Sequence, residues 1–410
     1  MTRVGRYANP ATTLDWAPDE LPRGAEAEVI ALATPDRSAT SGVLYRPPRA
    51  RGGSLVTLMH PRVDFTRHYL IPPLLRAGHA VWAQRSRTVG NDLTTVHEQL
   101  AIDVATAHAH LVARGFERIH LLGNSGGASL YCLYLQQAAR APERRLSAAP
   151  SGLPVDLTLE MPLPAGLVLL APHPGQGELL LHCIDPAVAD EDDPAATVPE
   201  LDLFDPANGF AEPPRSSSYD ADFLARYRAA QRARVERIDV RMHELLAQQR
   251  ELRRRGRDGE ERARRAALAG RFVTVHRTDA DPRAVDLSLD PSKRDYGSVF
   301  GRRPDVTNFG PVGFARLTTP HAWLSTWSGV SSQAALRLTA PEIAVPALVL
   351  SYTADNSVFP SDVQAIQDAL ASDDLTRVDV DGDHYGHVPG TEQRSPDAAE
   401  AICAWLAART

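Results

Sequence analysis

One pentapeptide in this chain has the residue types and the setting of an enzyme nucleophile. Gly123-Asn124-Ser125-Gly126-Gly127 reads G-x-S-x-G, and it lies between the apolar run Ile119–Leu122 and a helical pattern over Ala128–Ala139. A serine carried on so sharp a strand-to-helix turn sits in strained backbone. The residues two before and two after it must therefore be small, and Gly123 and Gly127 occupy those places. The turn would lift the Ser125 hydroxyl clear of the sheet edge, beside a helix N-terminus. The unused N–H groups there can receive negative charge developing on an oxygen, with the Gly126 amide first in line. A serine hydroxyl is a poor nucleophile at neutral pH, so it needs a base, and the base needs an orienting acid. On this kind of turn the acid and then the histidine follow the serine in the chain. Asp355 comes just after the apolar run Ala347–Tyr352. His384 follows Arg377–Val380 in Asp381-Gly382-Asp383-His384-Tyr385-Gly386-His387. Either His384 or His387 could be the base. His384 is nearer the strand end, and a Gly-x-His step can turn a ring back over the sheet edge, which leaves His387 as a bystander or a neighbour of the substrate.

The elements that must position these residues alternate between strand and helix. Ala27–Thr34 and Val43–Arg46 read as an opening hairpin, and Leu55–Met59 and Ala80–Ala83 as strands. Phe65–Ala77 has a helical pattern that Pro72-Pro73 should break, and Val96–Arg114 is a second helix. Leu167–Leu170 is a buried-type strand. After Pro346 the order is strand Ala347–Tyr352, helix Ser361–Leu370 with Ser361 as a possible N-cap, strand Arg377–Val380 and helix Asp397–Ala408. Largely apolar strands separated by helices imply an α/β architecture, a mostly parallel sheet covered on both faces.

With strand, helix and partners in place, the chain resembles the α/β-hydrolase superfamily. The matching pieces are Gly123-Asn124-Ser125-Gly126-Gly127, Ala354-Asp355, Gly382-Asp383-His384 and the early His60-Pro61, and together they cover about residues 27–172 and 341–410. The resemblance implies an α/β-hydrolase fold, a serine nucleophile at Ser125, Asp355 and His384 as its partners, and no cofactor or metal. In this family an early loop supplies a second N–H to the oxyanion. Pro61 has no N–H, so the donor here would be Arg62 or Val63. Ester or lactone hydrolysis through an acyl-enzyme is the implied reaction, in the manner of bacterial esterases and lactonases. Thioesterase, amidase and peptidase chemistry use the same groups. Dehalogenases of this fold carry an aspartate where this chain has Ser125.

The spacing from Ser125 to Asp355 exceeds what two or three strand–helix units need by more than about a hundred residues. The division expected is therefore core 1–172, a mainly helical cap or lid 173–340, and core again 341–410. Within the cap, Asp222–Arg255 is one long helical pattern with an apolar seam at Leu224, Tyr227, Val235, Ile238, Met242, Leu245 and Leu252, interrupted by Gln231 and Gln249. Phe314, Trp323 and Trp327 are candidates for an apolar substrate pocket. His60 and His387 are candidates for contact with the substrate.

Composition narrows the partners. With 43% hydrophobic and 23% charged residues, the chain is of globular type. All but one of its 44 basic residues are arginine, Lys293 being the exception. Fifteen arginines fall in Arg226–Arg271 among seven acids, the pattern of a solvated helix face. A net charge of −7 argues against nucleic acid or an anionic membrane as a partner. No apolar run is long enough to span a bilayer. Three scattered cysteines make neither a disulfide framework nor a metal site, and no HExxH or CxxC occurs. The expected setting is cytoplasmic, because the N-terminal residues lack the pattern of a secretory signal. The expected partner is a small-molecule ester or lactone, with homo-oligomerisation through the cap helix open. The reading from another class is a non-catalytic binding or assembly protein that uses the arginine-rich helix.

Overall fold

The computed structural model describes residue 15 and residues 20–50, 54–391 and 393–409. Its centre is an eight-stranded sheet. In chain order the strands are β1 (Glu26–Ala33), β2 (Ala39–Arg46), β3 (Ser54–Met59), β4 (Ala80–Arg85), β5 (Arg118–Asn124), β6 (Gly166–Leu170), β7 (Ala347–Tyr352) and β8 (Leu375–Val380). Across the sheet they lie in the order β1-β2-β4-β3-β5-β6-β7-β8. The hairpin strand β2 runs antiparallel to β1 and β4, and every other pairing is parallel.

Side-chain alternation explains why the parallel strands read as unbroken apolar runs. In β6, Leu167 and Leu169 face one core, while Val168 and Leu170 face the other. In β7, Ala347 and Val349 pack with the first pair, Leu348 and Leu350 with the second. Both faces are covered, so apolar residues predominate at both sets of positions. The flanking helices are α1 (Ile71–Arg76), α2 (His97–Ala113) and α3 (Gly126–Ala139). Between β6 and β7 come α4 (Gln176–Cys183), α5 (Ala221–Arg257) and α6 (Glu261–Leu268), and after β7 come α7 (Pro360–Ala369) and α8 (Asp397–Ala407).

Two local expectations change. Pro72 and Pro73 do not break a helix begun at Phe65, because α1 starts at Ile71 and places both prolines in its first turn, where no intrahelical hydrogen bond is lost. Ser361 does not cap α7. That helix opens at Pro360, its Asp362 carboxylate accepts from the Phe359 N–H at 3.2 Å, and Ser361 binds Asp290 instead.

The segment between β6 and β7 is dominated by the 37 residues of α5, with short ribbons, single turns and loops around it. The buried face of α5 holds Phe223, Tyr227, Val235, Ile238, Met242 and Leu246. Gln231 lies on that face as well, and its amide donates to the carbonyls of His182 and Ile184, both at 2.8 Å. Arg234 is fully buried, with two bonds of 2.7 Å to Glu191 and one of 2.6 Å to the Asp185 carbonyl. Further along, Arg254 and Arg255 pair with Glu251, Asp258 and Glu260 across the turn into α6. No helix among the described residues is long and apolar enough to cross a membrane.

Candidate active site

The G-x-S-x-G turn joins β5 to α3. Ser125 has φ 54° and ψ −120°, a conformation that L-residues avoid, and its N–H donates to the Leu170 carbonyl of β6 at 2.9 Å. A Cβ on Gly127 would lie 2.4 Å from the Met59 carbonyl oxygen, and one on Gly123 would lie 2.7 Å from the Ala128 backbone. The flanking glycines are therefore fixed by close backbone approach.

Three side chains meet at the carboxyl ends of β5, β7 and β8. Ser125 Oγ is 3.1 Å from His384 Nε2, and His384 Nδ1 is 2.8 Å from Asp355 Oδ2. The second carboxylate oxygen, Asp355 Oδ1, accepts from the N–H groups of Ser357 at 2.7 Å and Val358 at 2.9 Å. Asp355 and His384 are buried, while Ser125 is half-buried and borders a cavity of about 480 Å³. Burial alone would lower the basicity of His384. The Asp355 charge and hydrogen bond, helped by Asp383, outweigh it and hold its pKa above the usual 6.5. If this ring is the working base, it must be neutral. The kcat/KM for a neutral substrate is then expected to rise with pH through an acid limb lying above 6.5. An acid limb at pH 5.5 or below in a pH–rate profile would contradict that arrangement.

The sheet order, the strained serine turn and the strand-end placement of Ser125, Asp355 and His384 decide the architecture. This chain has the α/β-hydrolase fold. No family profile matches it, and no curated protein sequence does. Among solved structures, DcsB bound to a substrate analogue is similar at a TM-score of 0.50 and 11% identity, over 94% of this chain and 100% of that one. The α/β-hydrolase GrgF of Penicillium sp. sh18 aligns at 0.47 and 13%, over 94% and 99%. The esterase domain of a Rhodothermus marinus protein aligns at 0.45 and 11%, over 94% and 98%. At such identities the likeness is one of fold.

The early loop of this α/β-hydrolase fold differs from the expectation. The N–H groups of Arg62 and Val63 both donate to His60 Nδ1, at 3.0 and 2.9 Å. Neither is turned toward Ser125, because the imidazole folds back over its own loop and takes both. The candidates for an apolar pocket also separate. Phe314 lines the cavity. Trp323 and Trp327 are fully buried away from it, in the cluster that joins α4, α5 and the turn Trp323–Trp327. Trp323 Nε1 donates to the buried Asp239 carboxylate at 2.6 Å, and Trp327 lies beneath the Arg62 guanidinium, 4.7 Å from its ring centre. His387 stands aside from the cavity, with Nδ1 3.3 Å from Asp383. His60 borders the cavity.

The sequence reading passed over two residues close to the serine. His173 and Gln176, just beyond β6, line the cavity. They and His60 crowd the place where a Cβ on Gly126 would sit, with Gln176 Nε2 at 2.3 Å, His60 Nε2 at 2.8 Å and His173 Nε2 at 3.0 Å. The rule that pointed to the ends of β7 and β8 covers the end of β6 equally, so a signal for these two existed. His68 supports the turn from behind. Its Nε2–H donates to Asn124 Oδ1 at 3.2 Å, and the Asn124 amide donates on to the Leu170 carbonyl at 3.0 Å. Nothing in the sequence pairs His68 with Asn124.

Two arginines reach the cavity wall, and each has a carboxylate partner. Arg62 makes a bidentate pair with Asp92, 2.6 Å on both arms, and Arg85 lies 3.0 Å from Asp64. The positive charge at the wall is thus balanced within the wall.

Proposed function

We propose that this chain is a serine hydrolase that cleaves a carboxylic ester or lactone through an acyl-enzyme on Ser125. The observation that supports it most is the continuous chain of hydrogen bonds from Ser125 Oγ through the His384 ring to Asp355, opening on a cavity. In the proposed reaction Ser125 Oγ attacks the carbonyl carbon while His384 Nε2 takes its proton. Asp355 holds the ring in the tautomer that leaves Nε2 free to accept, and stabilises the imidazolium once it forms. The carbonyl electron pair moves onto oxygen, which the Gly126 amide at the start of α3 receives. Collapse of the adduct expels the alcohol oxygen, which takes the proton from His384. Water then repeats the cycle on the acyl-enzyme and frees the acid. In a lactone both products remain one molecule, an open hydroxy acid.

A neutral substrate fits the charge pairing of the wall. Arg62 and Arg85 are neutralised by Asp92 and Asp64, so a carboxylate or phosphate on the substrate would have to compete with those pairs. The segment between β6 and β7 supplies Leu179, Val299, Phe300 and Phe314 to the cavity, an apolar side for the acyl or ring portion.

A fluorophosphonate probe tests the reading directly. One equivalent of label on Ser125 is expected, together with turnover of p-nitrophenyl esters and lactones faster than acyl-CoA thioesters or anilides. An unlabelled Ser125 in folded protein that turns over none of these would instead favour a non-catalytic binding protein.

A further inference from the structure

The neighbours of Gly126 raise the question of what completes the oxyanion site, given that both loop amides are occupied. We propose that His60 is itself the second oxyanion donor, through its Nε2–H, and that the Arg62 and Val63 amides serve to fix its tautomer rather than to bind substrate. This rests on the hydrolase reading above and adds a catalytic residue to it.

The chemistry of the ring leads there. A neutral imidazole carries one N–H. Two backbone N–H groups converge on Nδ1, so Nδ1 must be the bare nitrogen and the proton must sit on Nε2. That Nε2 is directed at the amino end of α3, 2.8 Å from the place of a Cβ on Gly126. Only a glycine after the nucleophile allows the ring so close. His173 is arranged in the same way. Its Nδ1 accepts from the Gly175 N–H at 3.2 Å, and its Nε2 lies 3.0 Å from the same point. Both rings border the cavity that contains Ser125. The oxyanion would thus find the Gly126 amide and the His60 Nε2–H, with His173 Nε2–H beside them as a supporting donor.

Both rings also remain neutral when the donor is needed. Burial depresses the basicity of His60 far below the ordinary histidine range, and the nearby Arg62, His173, His97 and His384 add to this. Burial takes His173 down to about 3. When His384 becomes an imidazolium, these neighbours do not compete with it for the serine proton. The step balances without proton transfer from His60. As the Oγ–C bond forms, the carbonyl pair moves to oxygen and the serine proton goes to His384. The His60 N–H shortens its hydrogen bond to that oxygen and lengthens it again as the C=O re-forms.

A pair of variants separates this role from a structural one. In His60→Asn the amide oxygen stands near the place of Nδ1 and can hold the Arg62 and Val63 N–H groups, while the donor at the depth of Nε2 is gone. In His60→Gln an amide N–H reaches that depth. With a p-nitrophenyl ester, His60→Asn is expected to lose about 10²–10³ in kcat with KM little changed. The affinity for a matching alkyl boronic acid should fall in step, and His60→Gln should recover part of both. The ¹⁵N shifts of the wild-type ring should report Nε2–H and bare Nδ1 at pH 7, whatever the variants do. Wild-type kcat in His60→Asn would overturn the proposal, because the amides would then be the donors. So would an equal loss in both variants seen only in KM, or a ring protonated on Nδ1. A wild-type protein that takes no fluorophosphonate label on Ser125 marks the distinct failure of the hydrolase reading, which removes this proposal with it.

Discussion

Ser125→Ala is expected to lower kcat for the best ester by roughly 10⁴–10⁶, with KM close to that of the wild type. The size follows from how the three groups act. His384 Nε2 has no useful proton to take once Oγ is gone, and Asp355 then orients a base with no task. Removing the first member therefore removes the contribution of all three. Adding His384→Ala to Ser125→Ala should cost little more, which is the mark of residues working as a unit. What survives would be the binding of substrate and the polarisation of its carbonyl by the donors at Gly126, which can still favour attack by water. The fold should be nearly indifferent. Oγ makes a 3.1 Å contact with His384, whereas the strained φ of 54° is held by the Ser125 N–H bond to Leu170 and by the glycines on either side, none of which the substitution touches. Single-turnover kinetics and a melting curve on the same sample check both halves. A variant that keeps more than a tenth of wild-type turnover would remove Ser125 from the mechanism.

How much of this was legible before any coordinates depends on how local each signal was. The serine turn is local: five residues, a strand before and a helix after. Asp355 and His384 could be found because strand ends are where such sheets carry function, and the strands could be read, β7 from its apolar run and β8 from its alternating valines. The early loop marks the limit of that method. Pro61 rightly removed one donor from consideration, but what the Arg62 and Val63 amides bind depends on which way the His60 ring turns. That is decided by packing against residues far along the chain. Phe65 lies 5.1 Å from the His60 ring, and His173 and Gln176 arrive from the end of β6. The aromatic candidates illustrate the same limit. Phe314 reaches the cavity, while Trp323 serves Asp239 on α5, and nothing in their sequence surroundings distinguishes the two. Polar residues inside the apolar seam of α5 looked like interruptions. In the fold, Gln231 and Gln249 are satisfied anchors, holding the helix to the carbonyls at the end of α4 and to the Ala267 carbonyl of α6.

The arginines of α5 and α6 divide on the same basis. Arg234 is structural, since burying it satisfies Glu191 and the carbonyls of Asp185 and His276. Arg254, Arg255 and Arg265 are exposed and paired with acids three to five residues away, an arrangement that water and salt screen and that contributes little to stability. Such pairing keeps a helix of 37 residues soluble on its outer face.

Mild acid is expected to destabilise this protein. Burial drives the basicity of many histidines below the usual range, among them His97, His108, His120 and His182 to about 4, His68 and His173 to about 3, and His60 well down. Freed by unfolding, each would have a pKa of about 6.5. Below that pH the unfolded chain binds protons that the folded chain refuses, so stability falls as pH drops. Three buried carboxyls act in the opposite direction, Glu98 raised to about 7 and Asp103 and Asp279 to about 6. They hold protons in the folded state that unfolding releases, which raises stability over the same interval. His384, whose pKa is raised, favours the folded state when protonated, a contribution complete below about pH 6.5 and lost as pH rises above it. The histidines outnumber these carboxyls, so between about pH 4.5 and 6 unfolding takes up protons on balance and stability falls as pH drops. At lower pH Asp281, whose carboxylate Arg283 and Arg228 stabilise against the cost of burial, adds a further loss. Urea titrations at pH 7.5, 6.5 and 5.5 would measure the slope. His120 provides the control, because neither ring nitrogen has a hydrogen-bond partner among the described residues and the ring packs edge-on to Trp405 at 6.0 Å. His120→Phe should leave stability at pH 7.5 unchanged or higher and reduce the slope by one proton, about 1.4 kcal/mol per pH unit. A urea midpoint that stays constant from pH 7.5 to 5.5 would mean that these rings are already hydrated or paired in the folded state, and that burial does not set their charge.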